Sequence, residues 1–437
     1  MTTLAETLPP AARPAQSAPS QRLMSVDALR GFDMFWIIGA DSLVYALNRL
    51  TQTRPTSFLA GQLEHAEWDG FHFYDLIFPL FVFIMGVSLV FSLTKTLEGA
   101  GRAEALKRIF RRGILLYVVG LFYSLGCANP WPDIRLMGVL NRIALAYFFG
   151  GLLFCYFKPR ALPGVCIALL VGYWGLMTFV PIRDIQLTRD NLAALAAQAG
   201  DTNAAALFRD PANPSAVKNS PAWAAAEKMF YGTTRRVTGK FDKGLNLANH
   251  FDFQYLPGRK YDTFFDPEGF LSTIPAVATC LLGVFAGLLL KNQSVPAQRK
   301  AIYLIGVGVA GAALGWVWGL QFPVIKKIWT SSYVLVAGGY SAILLGVFYQ
   351  VVDVWQVRAW CQPFVWMGMN SITVYLASNM LGGFRKLAMR LAGGDVKLCF
   401  DNHVAQGLGD MVISLVGLAL AFWFVRFLYQ RKVFLRL

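Results

Sequence analysis

Charge is scarce in this 437-residue chain: Asp, Glu, Lys and Arg make up 15% of it, while 56% is hydrophobic. Soluble globular domains usually carry about a quarter charged residues, so that class is excluded. The six cysteines (Cys127, Cys155, Cys166, Cys280, Cys361 and Cys399) are scattered without a CxxC pair, which argues against a metal or redox motif. Strand-like alternation is absent, which removes a β-barrel, and no fixed-period repeat is visible. The first 21 residues have neither a basic n-region nor an apolar h-region, so they do not form a secretory signal. The net charge of +15 comes mainly from basic residues lying between apolar runs, and nucleic acid is not expected as a partner.

What the sequence does have is long apolar runs. Ten of them, at 29–48, 71–94, 113–126, 134–157, 161–181, 271–290, 301–320, 331–351, 363–382 and 408–427, approach or reach the roughly 20 residues that let a helix cross a bilayer. The expected fold is an all-α integral membrane protein, a bundle of about ten transmembrane helices in the lipid bilayer. Residues 1–21 read as a disordered cytoplasmic tail, 22–181 and 271–437 as N- and C-terminal sets of membrane helices, and 182–270 as an extracytoplasmic loop subdomain with helical parts near 191–199 and 221–229. Basic residues such as Lys107, Arg108, Arg111 and Arg112 fall in segments assigned to the cytoplasm, as the positive-inside rule requires. Lys326 and Lys327, in the outward segment 321–330, are the clearest exception.

Ionisable groups inside apolar spans are expensive and default to functional candidates. They are Asp33 and Asp41 in the first span, Asp75 at the outer end of the second, and Arg142 in the fourth. Asp33 and Arg142 also fit a buried ion pair that holds helices in register. His65, just before the second span, is placed to accept a proton near the outer face, with Asp41 as its orienting carboxylate; an interfacial histidine beside an aromatic belt is the alternative. Asp266-Pro267-Glu268 precedes the sixth span, where it suits helix capping and equally a pair of carboxylates facing an amino sugar. Asn370 and Ser371 lie inside the ninth span on a polar track.

The order of these signals resembles one family. Ser25-Val26-Asp27-Ala28-Leu29-Arg30-Gly31 is similar to its S-x-D-x-x-R-G start, and His65-Ala66-Glu67-Trp68-Asp69-Gly70 with Asp75-Leu76-Ile77-Phe78-Pro79-Leu80-Phe81-Val82-Phe83-Ile84-Met85-Gly86 is similar to its most specific block. Gly138 to Ile143, Phe265 to Gly269, Trp329 to Tyr333 and Gly368 to Ser371 extend the likeness. The family is that of the heparan-α-glucosaminide N-acetyltransferases. The resemblance implies a membrane acetyltransferase using cytoplasmic acetyl-CoA as donor substrate, with no metal, and the amine of a small glucosamine-type sugar on the far side as acceptor.

Carried over, the family's catalytic histidine corresponds to His65, and a family asparagine aligns with Asp41, which favours direct transfer over an acetyl-histidine. The expected site is His65 and Asp41 for catalysis; Asp75, Asp266, Glu268 and Asn370 for the acceptor; and Arg30, Arg111, Arg112 and Arg142 for CoA. Family analogy adds a homodimer. The absence of a long luminal N-terminal region points to a bacterial inner-membrane relative with a cytoplasmic N-terminus. An amino-sugar permease and an O-acyltransferase acting on surface polysaccharide are the alternatives. Against the permease stand the missing repeat and the expectation of unbroken spans.

Overall fold

The structure, a computed structural model, describes residues 23–131, 133–210, 220–380 and 382–435. The expected tail 1–21 lies outside them. Helices dominate: α1 (Met24–Phe35), α2 (Asp41–Thr51), α3 (Arg54–Gln62), α4 (Phe73–Gly99), α5 (Gly101–Tyr123), α6 (Val139–Tyr156) and α7 (Leu162–Phe179) precede the long loop region. After it come α12 (Thr273–Lys291), α13 (Ala297–Gly319), α14 (Ser331–Phe348), α15 (Gln362–Met369), α16 (Ser371–Met380), α17 (Gly383–Ala392), α18 (Asp395–His403) and α19 (Leu408–Gln430).

Among the described residues, seven helical segments are long and apolar enough to cross a membrane: α4, α6, α7, α12, α13, α14 with its extension to Val354, and α19. The chain is thus an all-α, multi-pass membrane protein. Three of the ten expected spans are not in that set, for distinct reasons. The run 113–126 is the apolar second half of α5, whose first half carries Arg102, Glu104, Lys107, Arg108, Arg111 and Arg112. The first span breaks after α1 into a π turn, Trp36–Ala40, where Gly39 takes φ +125°, a conformation L side chains rarely adopt. The ninth span breaks at Asn370, between α15 and α16. The expectation of unbroken spans is therefore corrected at two places.

Helices from both sides of the loop region share one core. Its buried residues run from Val26 through Leu80, Ile109 and Ala146 to Leu281, Val336 and Val365. Two crossings have backbone against backbone. A Cβ on Gly31 of α1 would overlap the Phe364 carbonyl of α15, and one on Gly368 would overlap the Asp27 carbonyl. A Cβ on Gly86 of α4 and one on Gly283 of α12 would likewise strike the carbonyls of Cys280 and Phe83. Small residues let membrane helices approach closely, so three motif glycines (Gly31, Gly86 and Gly368) are accounted for by packing.

The loop region holds α8 (Arg189–Gln198), α9 (Thr202–Arg209), α10 (Pro221–Gly232) and α11 (Leu247–Tyr255), with a two-stranded antiparallel ribbon of β1 (Ile182–Arg183) and β2 (Arg236–Val237). α8 and α10 correspond to the two helical parts expected there. Leu192, Phe208, Trp223, Phe230, Phe253 and Phe264 form its own apolar cluster. It is tied to the bundle: Trp68 Nε1 donates to the Phe241 carbonyl at 2.8 Å and Arg259 N to the Ile134 carbonyl at 3.0 Å.

Candidate active site

The segment between α3 and α4 carries His65, and α4 fixes it. Asp75, in the first turn, is a helix-capping carboxylate: its Oδ2 accepts the His72 N–H at 3.0 Å and the Ala66 N–H at 3.1 Å. Its Oδ1 lies 2.8 Å from His65 Nδ1 and 3.3 Å from Lys326 Nζ. Four donors around one buried carboxylate leave no place for a carboxyl proton. His65 therefore carries its hydrogen on Nδ1 and keeps Nε2 as the basic nitrogen, with the ring half exposed at 51%. Tyr74 packs against the imidazole, with centroids 4.9 Å apart.

His65 opens onto a cavity of about 530 Å³. Its apolar lining comes from both broken spans and α4 and α6: Met34, Ile37, Ile77, Phe78, Phe81, Ile143 and Ile372. The polar lining comprises Glu67, Arg135, Arg142, Tyr261, Glu268, Lys326, Lys327 and Ser371. A concave, mainly apolar pocket with converging polar groups is the usual form of a small-molecule site.

A cluster of charges forms one wall. Arg135 grips Asp266 through Nε (2.8 Å) and Nη2 (2.7 Å), and Nη2 also reaches Glu268 Oε2 at 2.7 Å. Burial, with the Asp266 carboxylate beside it, pushes the Glu268 carboxyl up from its ordinary value. The carboxylates around Arg135 hold its guanidinium firmly charged, outweighing the opposing effect of burial. Behind this wall Asp252 accepts the Phe270 N–H at 3.1 Å and the Asp266 N–H at 3.4 Å, and burial pushes its carboxyl up to about 7. Arg142, fully buried in the first turn of α6, donates from Nη2 to the Pro267 and Gly269 carbonyls and Ser272 Oγ, and lies 4.8 Å over the Trp329 ring. Its Nε and Nη1 have no partner among the described residues.

Residues 22–193 match the sequence profile described as heparan-alpha-glucosaminide N-acetyltransferase, catalytic. The chain is also similar to curated proteins named heparan-alpha-glucosaminide N-acetyltransferase from Mus musculus (28% identity over 85% of this chain) and Homo sapiens (27% over 96%). It spans 56% and 60% of their lengths. The chain is thus similar to the heparan-α-glucosaminide N-acetyltransferases, by profile over its N-terminal part and by identity over most of its length.

The expected site residues separate into groups. His65, Glu268 and Arg142 line the cavity together. Asp75, expected to bind the acceptor, lies behind His65 instead, and it occupies the orienting position expected of Asp41. The Asp41 carboxylate is turned to the Ser42 N–H at 2.7 Å, because the break at Gly39 redirects α2. Asp266 stands behind Glu268, and Asn370 donates from Nδ2 to the Trp366 carbonyl at 3.1 Å; neither lines the cavity. The capping role for Asp266-Pro267-Glu268 is corrected, since α12 begins only at Thr273. Asp33 and Arg142 do not pair: both Asp33 carboxylate oxygens are buried without a hydrogen-bond partner among the described residues.

The expected CoA residues other than Arg142 are also off the cavity. Arg30 donates to Ser88 Oγ at 2.7 Å and to the Gly368 carbonyl at 3.3 Å. Arg111 is exposed on α5, and Arg112 stacks over Tyr147 at 4.9 Å. Sequence reasoning missed Arg135 and gave Lys326 no role in the site. Lys326 is a cation in the outward-assigned segment 321–330, a departure from the positive-inside rule, and Arg135 falls at the start of the run assigned as the fourth span, 134–157, where an ionisable group is by default a functional candidate.

Proposed function

We propose that this protein transfers an acetyl group from cytoplasmic acetyl-CoA to the amine of a glucosamine-type sugar on the opposite side of a bacterial inner membrane, with its N-terminus in the cytoplasm. The observation that carries the reading is the 2.8 Å contact between His65 Nδ1 and Asp75 Oδ1 at the wall of the cavity. Asp75 favours the tautomer with a basic Nε2 and stabilises the imidazolium that forms on proton abstraction. The acceptor nitrogen loses a proton to His65 Nε2 and bonds to the thioester carbonyl carbon. The C–S bond then breaks, and the leaving thiolate takes the proton from Nε2.

Glu268 holds the acceptor through its hydroxyls or ammonium, with Arg135 and Asp266 fixing its position. Arg142 sits at the acyl end of the donor, and Arg111 and Arg112, in the first half of α5, serve its phosphates. The acetyl group alone needs to pass, so neither CoA nor sugar has to traverse the bundle.

A permease for amino sugars is the second reading, favoured by the two interrupted spans, a form that transporters use to build midplane sites. One experiment separates the two. Purified protein in liposomes receives radiolabelled acetyl-CoA on one face and glucosamine on the other, beside His65→Ala. Labelled N-acetylglucosamine from wild type, reduced by at least about 10²-fold in His65→Ala, is the expected result. Saturable uptake of N-acetylglucosamine with no acetylated product establishes the permease and refutes the transferase.

A further inference from the structure

Acetylating an ammonium raises a question of proton balance. The acceptor enters as R–NH3+ and leaves as an amide, so its nitrogen gives up two protons, while the CoA thiolate takes back only one. One proton per turnover must reach solvent, and the first must go before the nitrogen has a lone pair to attack with. His65 Nε2 accounts for the proton that returns to the thiolate.

Lys326 Nζ lies 2.9 Å from His65 Nδ1 and 3.4 Å from Nε2, lines the same cavity, and has a side chain 20% exposed. The geometry constrains its charge. Nδ1 bears the hydrogen directed at Asp75, so an ammonium at 2.9 Å would set donor against donor, whereas an uncharged Lys326 amine can share that N–H as acceptor. The ionisable groups facing it are His65 and Asp75 from the α4 entrance, Glu268 from the approach to α12, and Lys327 beside it. Burial lowers the Lys326 ammonium from its ordinary value, against the pull of Asp75. A lysine amine that gives up its proton more readily can serve as a general base, which an arginine cannot.

Resting on the acetyl-transfer reading, we propose that Lys326 is a second acid–base group of the site, taking the first proton from the arriving ammonium and passing it to solvent while His65 takes the second. The ammonium N–H bond breaks as the Lys326 N–H bond forms, and Lys326 returns to the neutral amine by releasing that proton at the cavity mouth. No other reactant is required.

The test compares wild type, Lys326→Arg and Lys326→Met in proteoliposomes, with glucosamine and with O-methylhydroxylamine, an amine already uncharged at neutral pH. Lys326→Arg holds a permanent cation beside Asp75 and takes up no proton, Lys326→Met holds neither charge nor proton, and thermal unfolding controls for folding. With glucosamine at pH 7 both variants should lose about 10²-fold in kcat/KM, and the loss should shrink as pH rises and the sugar amine deprotonates by itself. With O-methylhydroxylamine both variants should stay close to wild type. Equal, pH-independent losses on the two amines would overturn the proposal and reduce Lys326 to a positioning residue. Wild type that acetylates neither amine would instead fail the acetyl-transfer reading on which it rests.

Discussion

Asp75→Asn isolates what the carboxylate contributes, because the substitution keeps the shape and removes the charge. The side chain faces donors on both oxygens: the Ala66 and His72 N–H groups at 3.1 and 3.0 Å on Oδ2, and the His65 ring at 2.8 Å on Oδ1. An asparagine has one acceptor oxygen and cannot serve both sides. Turned toward His65, it sets its NH2 against two backbone donors, at about 1–3 kcal/mol for each donor left unsatisfied. Turned toward the backbone, it presents NH2 to Nδ1 and forces the ring hydrogen onto Nε2, where the base must be. The second arrangement leaves fewer buried donors unsatisfied, so it should dominate. The expected result is a fall in kcat of about 10³–10⁴-fold, the scale seen when a catalytic histidine is held in the wrong tautomer. The acceptor KM should change little, because Glu268 and Arg135 are untouched. The assay is initial-rate acetyl transfer in proteoliposomes, with a thermal melt to establish folding. A folded Asp75→Asn protein with kcat within a few-fold of wild type would refute the assigned base and its orientation.

Gly368→Val inserts bulk where α1 and α15 meet backbone to backbone, and it should lower thermal stability in detergent by about 1–3 kcal/mol or more; Gly164→Val on α7, where an added Cβ meets nothing, should cost much less, and equal losses would contradict the close-approach argument. Asp252 gives a pH signature. Its folded carboxyl is pushed up to about 7 from an ordinary 3.8, so the folded state holds that proton more tightly and stability falls as pH rises through this window. The melting temperature of Asp252→Asn relative to wild type should therefore climb between pH 4 and pH 7, and a pH-independent difference would show that burial of this carboxyl carries no titration cost.

Local chemistry was legible in the sequence. Apolar run length placed the long helices, since crossing hydrocarbon depends on composition within one segment. The His65 motif marked one wall of the cavity, and Glu268 and Arg142 proved to line the same space. What could not be read was partnership. Asp41 and Asp75 were equally acidic neighbours of His65 on paper, and only the break at Gly39, which redirects α2, together with the capping geometry of α4, settles which of them reaches the ring. Arg135 is an unremarkable loop residue until its guanidinium is set between Asp266 and Glu268, 131 and 133 positions away. Lys326 looked like an anomaly of topology because its partners are 251 and 261 positions distant. The sequence by itself determined an all-α membrane protein with a histidine motif at one face, because hydropathy and motif spacing act over a few turns of helix. The tertiary structure alone decided which carboxylate orients that histidine, which cations surround it and where two spans break, because those depend on how distant helices pack against each other.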